Sequence, residues 1–263
     1  MLDERTMRQQ LLDVLGKLRY RFDHIFKSSL HNLSYKQYCE LAFWQREIQQ
    51  YIKWYMGKKP CHYGVSSPSN EIKVTEYGLK ENAILTWVKA HINKYPDLLL
   101  IPKDYFVGKT ILDVGCGPIP YVLAFTNCKI YGLDQLMGEY KKLGFPLEKH
   151  SNRLTYINGS AESIPVKDKF FDAVISVNAL DHVDDFPKTA EEISRVLQPE
   201  GILRIETNYH QPTTCEPCSL SDELIIKHFG HLGIKKVSER LVTEVFPEAP
   251  EKKQLLVVWT NKV

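Results

Sequence analysis

Apolar and polar residues follow two different rhythms along the chain. Over about residues 5 to 56, apolar side chains recur at three- and four-residue steps, which is typical of amphipathic helices. The pattern predicts one helix from about Met7 to Ile25 and another from about Leu41 to Tyr55. Residues 57–76 carry Gly, Pro and Ser without clear periodicity and are predicted to form a loop or hinge. A further helix is predicted in the stretch LKENAILTWVKAHINKY that follows.

From Thr110 onward, short apolar runs alternate with helical stretches. The predicted strands are TILDV, KIYGL, LTYI, FDAVISV and ILRIET, and the clearest intervening helix is FPKTAEEISRVL. Such alternation indicates βαβ units and an α/β fold with a mostly parallel sheet. Two later runs, KKVSER and QLLVVWT, are separated by a loop rather than a helix. They are therefore predicted to form an antiparallel pair that closes the sheet.

Composition narrows the choice of protein class. The 263 residues are 43% hydrophobic and 25% charged, which fits one large α/β domain or a domain with an appendage. A formal charge of +2 gives no general attraction to nucleic acid. No run is apolar enough to span a bilayer, and the opening MLDERTMRQQ is unlike a signal peptide, so a cytoplasmic protein without membrane contact is expected.

Six cysteines without a secretory signal are expected to be reduced thiols. Cys215 and Cys218, in CEPC, have the spacing of half a zinc site, but the chain has no second pair. Ordinary loop thiols are the favoured interpretation, and no metal is expected.

The most informative stretch is TILDVGCGPIPY, in which a predicted strand ends in an acid and a glycine-rich turn and is followed by the predicted start of a helix. Gly115 and Gly117 allow the backbone to turn sharply or to approach a ligand closely. The pattern is an incomplete G-x-G-x-x-G, because its sixth position is Pro120. Asp113 would repel a pyrophosphate and would suit a positively charged group. A ligand that carries both an ammonium and a carboxylate fits, and S-adenosylmethionine carries both.

The next strands end in residues that fit the rest of such a ligand. Asp134 follows the second strand, where it is placed to accept hydrogen bonds from ribose hydroxyls; the alternative is an N-cap for the following helix. The third strand leads into NGSAESIP, whose small residues leave room for a flat adenine. The fourth, in FFDAVISVNALDHVDD, opens into polar residues at the same edge of the sheet.

In this order, the segments between about Asp104 and Asn208 resemble the class I S-adenosylmethionine-dependent methyltransferases. The resemblance implies a Rossmann-like, mostly parallel sheet of seven strands with an antiparallel last strand. We expect residues 1–76 to form an N-terminal helical lid that binds substrate, and residues 77–263 to form the cofactor-binding core. The cofactor residues expected on this basis are Asp113, Gly115, Gly117, Asp134, Gln135, Ser160, Ala161, Glu162 and Asn178.

Two positions depart from the family pattern. Ile119 stands where many relatives have a third glycine, and Ser160 stands where many have an acid near the adenine amino group. The Ser160 hydroxyl can still form a hydrogen bond, so we expect altered affinity rather than loss of binding.

Methyl transfer depends mainly on positioning, and a general base helps when the acceptor is a hydroxyl. His182, with Asp181 and Asp184 close by in sequence, is the first candidate for the base, although a structural role in orienting its loop is the alternative. His210, after the fifth strand, is the second candidate.

A small-molecule acceptor, such as a hydroxyl of a sugar or another metabolite, is expected. The stretch NALD lacks the Asn- or Asp-Pro-Pro-aromatic motif of base amine methyltransferases, and no basic, aromatic-laced stripe indicates nucleic acid. A protein or RNA methyltransferase and a non-catalytic scaffold are the alternatives. The apolar stripe of the first helix also allows a homodimer. The residues expected to bind substrate are Trp44, Tyr51, Tyr55 and Tyr209, with plain core packing as the alternative for the aromatic residues of the second helix.

Overall fold

The computed structural model describes residues 14–20, 33–58, 78–246 and 249–262, with the backbone alone over most of residues 242–254. Helices and strands alternate through most of this length. The helices are α1 (Tyr35–Tyr55), α2 (Leu79–Ala90), α3 (Lys94–Leu99), α4 (Met137–Lys142), α5 (Phe186–Val196) and α6 (Asp222–Phe229). The strands are β1 (Thr110–Val114), β2 (Lys129–Asp134), β3 (Leu154–Asn158), β4 (Phe171–Val177), β5 (Leu197–Tyr209), β6 (Lys235–Phe246) and β7 (Ala249–Thr260).

The strands form one sheet of seven in the order β3-β2-β1-β4-β5-β7-β6. β1 to β5 pair in parallel, whereas β7 runs antiparallel to both β5 and β6. The predicted fold class and the predicted closing pair are both confirmed. The chain crosses from β3 over β2 and β1 to β4, so the carboxyl ends of β1 and β4 adjoin at the point where strand order reverses, which is where open α/β sheets bind ligands.

The sheet is covered on both faces, because successive residues of each strand point to opposite sides. Ile111 lies in a core cluster with α1, α2 and α3, while its neighbour Leu112 lies in a second cluster with α5 and α6. Ser34 caps α1 in a capping box with Gln37, and Asp185 caps α5 through the backbone N–H of Lys188. These caps begin both helices beside the carboxyl edge of the sheet.

The helix that the sequence predicts directly after the glycine turn is replaced by a single 3₁₀ turn, Tyr121–Ala124. The physical reason is the pair Pro118 and Pro120, which lack the backbone N–H groups that an α-helix needs, in a short connection between β1 and β2. The ligand-binding potential of this turn therefore rests on its glycines and on Asp134, not on a helix dipole.

The predicted helix before residue 26 falls largely outside the described residues. Residues 14–20 are helical, and Val14, Leu15 and Leu18 of the predicted apolar stripe are more than half exposed. Most of the predicted hinge, and with it the boundary between residues 76 and 77, also lies outside the described residues. Among the described helices, none has the length and apolar character needed to cross a membrane.

Candidate active site

The glycine turn follows β1 and is hydrogen-bonded to the end of β2. Gly115 and Gly117 both have positive φ angles, of 71° and 57°, which other residues adopt only with strain. The backbone N–H of Gly115 donates to the carbonyl of Leu133 at 2.9 Å. A Cβ on Gly115 would lie 2.3 Å from the Cβ of Ala179, just after β4. The turn is therefore packed so tightly between two strand ends that only glycine fits at position 115.

Asp134, at the end of β2, organises this turn. Its Oδ2 accepts a hydrogen bond from the Gly117 N–H at 3.1 Å, and its Oδ1 accepts one from the Leu136 N–H at 2.8 Å. Burial raises the pKa of the carboxyl to about 6, against the opposing effect of the Leu136 hydrogen bond. A carboxylate oxygen has two lone pairs, so each oxygen can accept one further hydrogen bond. The capping role and the expected ribose role are therefore compatible.

Asp113 is completely buried between the sheet and the α1–α3 layer. Neither of its carboxylate oxygens forms a hydrogen bond with the described residues, and burial raises its pKa well above the usual range, with the Tyr95 hydroxyl opposing this in part. The structure thus places Asp113 beneath the turn rather than on its surface. Direct contact with a ligand ammonium group stays a prediction.

The loop after β3 carries the residues expected near an adenine. The Ser160 hydroxyl contacts the Glu162 carboxylate, whose Oε1 accepts the Asp184 N–H at 2.8 Å. Burial would raise the pKa of Glu162, but these hydrogen bonds hold it below its usual value. The half-buried Ala161 packs against the α5–α6 core. Glu162 therefore ties the loop after β3 to the loop after β4.

Asn178, directly after β4, has a positive φ of 50° and an exposed side chain. Its Oδ1 accepts a hydrogen bond from the Asn208 side chain at 2.7 Å. The residue thus links the ends of β4 and β5 beside the glycine turn, which is the position expected for it at the ligand edge.

Helix α1 lies directly over this edge. A Cβ on Gly117 would be 3.2 Å from the ring of Trp44, whose indole N–H donates to Glu40 at 2.6 Å. The Gln37 side chain donates to Gln135 at 3.2 Å, and Lys36 donates to the carbonyl of His182 and to the carboxylate of Asp184, at 2.8 and 2.6 Å. The first half of α1 therefore covers the turn after β1 and the loops after β2 and β4.

Of the other residues expected to bind substrate, Tyr51 and Tyr55 lie away from this edge, whereas Tyr209 is the last residue of β5. Tyr51 is buried and stacks on Trp87 of α2 with ring centroids 4.4 Å apart, and Tyr55 is buried on the same helix. The hydroxyl of Tyr209 donates to Asp222 of α6 at 2.8 Å. In the structure these tyrosines pack helices onto the sheet, and their contact with a substrate stays a prediction. Trp44 lies at the ligand edge beside Gly117.

Both candidate bases meet at one carboxylate. Asp181, in the turn after β4, is 1% exposed. Its Oδ2 is 3.0 Å from Nε2 of His210, and its Oδ1 is 3.9 Å from Nε2 of His182. Glu216 adds a second carboxylate, 3.9 Å from Nε2 of each histidine, and Glu40 of α1 lies 4.0 Å from Nδ1 of His182. We call Asp181, His182, His210 and Glu216 the histidine–carboxylate cluster.

The two histidines of the cluster differ in their bonding. Nδ1 of His210 bonds the carbonyl of Gln211 at 2.7 Å, so both of its nitrogens are occupied. The hydrogen bond to Asp181 raises the pKa of His210 to about 9, against the effect of burial. Among the described residues, neither ring nitrogen of His182 makes a hydrogen bond, and its side chain is 31% exposed.

Sequence reasoning missed Glu40 and Glu216. Glu216 lies inside the CEPC motif, between the two cysteines on which a zinc site was weighed, and Glu40 lies on a helix far from the strands in sequence. The only signal was their acidic character, which does not distinguish them from other exposed acids.

Comparison with known proteins identifies the domain. Residues 112–205 match the model of a methyltransferase domain. A sterol 24-C-methyltransferase of Gibberella zeae is 34% identical over 105 residues, 37% of this chain and 27% of that protein. A demethylmenaquinone methyltransferase of Staphylococcus haemolyticus is 29% identical over 160 residues, 57% of this chain and 66% of that protein. The chain thus spans about a quarter of the sterol methyltransferase that it matches.

The fold comparison agrees. The structure of the YcgJ protein from Bacillus subtilis superimposes with a TM-score of 0.51 at 15% identity, over 65% of this chain and 97% of that one. Residues 112–205 therefore form a methyltransferase domain, and this domain and the fold together support a class I S-adenosylmethionine-dependent methyltransferase.

Proposed function

We propose that the protein transfers the methyl group of S-adenosylmethionine to a hydroxyl of a small-molecule metabolite, with His182 as the general base. The observation that carries the proposal is the position of His182, whose ring is free of hydrogen bonds to the described residues and lies beside the edge that α1 covers. When bound, S-adenosylmethionine supplies an electrophilic methyl group on a sulfonium.

The residues at the edge fit this cofactor. Each oxygen of Asp134 keeps a lone pair for a ribose hydroxyl after accepting its backbone N–H. The side-chain-free Gly117 lets a ligand approach the backbone, and Trp44 is the group now in contact with it. The carboxyl of Asp113 is buried beneath the turn and has no hydrogen-bond partner among the described residues. The lone pairs of Asp134 and the open backbone at Gly117 fit a nucleoside ligand.

His182 is positioned to accept the proton of the acceptor hydroxyl. A ring nitrogen of His182 takes it as the hydroxyl oxygen bonds to the methyl carbon. Carboxylates of Glu40, Asp181 and Glu216 surround this ring at 3.9–4.0 Å, and their charge stabilises the imidazolium that forms. His210 is a poorer base, because both of its nitrogens are already bonded.

A small acceptor is supported by the cover over the edge and by the relatives. Lys36, Gln37 and Trp44 contact the strand-end loops, so helix α1 covers part of this edge. The matched relatives are methyltransferases of sterols and of demethylmenaquinone, both small molecules. Because the sterol relative is named for transfer to carbon, carbon acceptors belong in any search beside hydroxyl compounds.

The proposal is tested by incubating the protein with S-adenosylmethionine labelled in its methyl group and with fractions of a cell extract. We expect label in the small-molecule fraction and none in protein or RNA. His182→Ala should lose this transfer while still binding S-adenosylhomocysteine. Label in protein or RNA would overturn the small-molecule acceptor, and full transfer by His182→Ala would overturn the base.

A further inference from the structure

Three residues of the histidine–carboxylate cluster are arranged as possible metal ligands. Asp181, His210 and Glu216 each offer one possible ligand atom, and these three atoms lie within 4.8 Å of one another. The three residues come from the turn after β4, the end of β5 and the CEPC loop. A backbone hydrogen bond from Cys218 to the carbonyl of Asp181, 3.1 Å long, fastens that loop in place.

The orientation of His210 is that of a metal ligand. Its Nδ1 lies 2.7 Å from the carbonyl of Gln211, which can only accept a hydrogen bond, so Nδ1 carries the proton. Nε2 lies 3.0 Å from Oδ2 of Asp181, and this close pair needs a positive charge between its two atoms. Without a metal, the second proton of His210 supplies that charge; a cation that binds between Nε2 and Oδ2 would replace the proton. A backbone carbonyl on the far nitrogen is the usual support of a metal-bound histidine.

A second observation is independent of that pair. Oδ1 of Asp181 is buried and has no hydrogen-bond partner among the described residues, although the side chain is only 1% exposed. A buried carboxylate oxygen without a partner is costly, and nearby groups normally satisfy it. Nε2 of His182 is 3.9 Å from this oxygen, too far for a hydrogen bond. A cation shared by both oxygens of Asp181 would remove this cost.

We propose that Asp181, His210 and Glu216 bind a divalent transition-metal cation of the zinc or manganese type. Zinc bonds to nitrogen and oxygen are about 2.0–2.2 Å long, which sets neighbouring ligands roughly 3–3.5 Å apart. The Asp181–His210 separation of 3.0 Å already meets this, and Glu216, 3.9 Å from His210, needs only a small side-chain shift. Glu216 is partly exposed, so the remaining coordination positions are open to water or to an acceptor oxygen.

Binding of the cation stands independently of the proposed reaction, whereas its chemical role rests on the proposed function. A hydroxyl that coordinates a divalent cation gives up its proton more readily, and His182 borders the site to receive it. The three proposed ligands do not include Cys215 or Cys218. Imidazole and carboxylate accept both zinc and manganese, whereas a thiolate pair would select zinc.

The test is calorimetric titration of the metal-stripped full chain with Zn²⁺ and with Mn²⁺, with S-adenosylhomocysteine titrated into the same preparations. We expect one cation site per chain for both metals. Glu216→Gln should weaken it at least about tenfold, as should Asp181→Asn. Glu223→Gln, an exposed acid on α6, is the matched control, and a double variant with Cys215→Ser and Cys218→Ser tests the thiols; both should bind as the wild type does.

Three outcomes would overturn the metal site. Absence of saturable binding of either metal, or binding that survives Glu216→Gln, removes the proposed ligands. Zinc binding that is lost only in the cysteine variant assigns it to the thiols. Thermal unfolding without metal checks that Glu216→Gln is folded. If S-adenosylhomocysteine fails to bind while the cation binds, the proposed function fails and the metal site stands.

Discussion

Single residues at the ligand edge have two roles, one in the fold and one in the chemistry. Asp134 holds the backbone of the glycine turn and keeps lone pairs free for a ligand. Asp181 fixes His210 and faces His182. The sequence alone could place Asp134, His182 and His210 at strand ends, because apolar runs mark where strands stop. It could not place Glu40 or Glu216, whose approach depends on how α1 and the CEPC loop fold back.

The proposed role of His182 as general base can be tested by substitution. With the acceptor that the labelling experiment identifies, His182→Ala should lower kcat by about 10²–10⁴-fold, the usual effect of losing a general base. Affinity for S-adenosylhomocysteine should change little, because the ring makes no hydrogen bond in the turn. His231→Ala, an exposed histidine far along the chain, serves as the control and should keep full activity. A loss below about tenfold would assign His182 a structural role.

At the scale of elements, α1 is both a cover and part of the core. Its second half buries Ile48, Tyr51 and Trp54 against α2, while its first half contacts the glycine turn and the loops after β2 and β4. Periodicity predicted this helix and most of the strands, since each depends on local pattern. The helix predicted after β1 is wrong, because two prolines and a short connection leave room only for a 3₁₀ turn. The lid function itself stays a prediction.

Removing residues 1–56 would unpack α2, so a point variant tests the lid more cleanly. Trp44→Ala should speed dissociation of S-adenosylhomocysteine by about tenfold, because the ring that covers Gly117 is lost. Phe43→Ala, at the adjacent and exposed position, should leave the rate unchanged. Stopped-flow fluorescence measures both rates. Equal dissociation from the wild type and Trp44→Ala would mean that α1 does not close over the cofactor.

At the scale of the whole molecule, the pH dependence of stability should reflect the half-buried His150. Burial lowers the pKa of His150 to about 4 from 6.5, and its Nε2 has no partner among the described residues. Below pH 6.5 the unfolded chain takes up a proton that the folded chain refuses. The contribution of His150 is therefore complete above pH 6.5 and falls as the pH drops toward 4.

Urea unfolding at several pH values measures this effect. The free energy of unfolding of the wild type should fall more steeply between about pH 6.5 and pH 4 than that of His150→Phe, in which the titrating group is gone. The variant His231→Phe, at an exposed site, should follow the wild type. Parallel curves for the wild type and His150→Phe would exclude a buried neutral imidazole.

The exposed stripe of Val14, Leu15 and Leu18 keeps the predicted homodimer open to test. If the stripe forms a contact between two chains, the sedimentation coefficient should fall on dilution, and Leu15→Glu should be monomeric at all concentrations. Arg19→Glu, on the same helical segment but outside the stripe, is the control for the added charge. If the wild type sediments as a monomer at all concentrations, the predicted homodimer is wrong. The proposed cofactor site would be unaffected.

The glycine turn and Asp134 are expected to hold S-adenosylmethionine. The most direct test is calorimetric titration of S-adenosylhomocysteine, with NAD as the competing class of ligand, into the wild type and into Asp134→Asn, which keeps the shape of the side chain. We predict saturable binding to the wild type, affinity at least about tenfold weaker in Asp134→Asn, and no binding of NAD. Unchanged affinity in the folded variant, or a preference for NAD, would contradict the account.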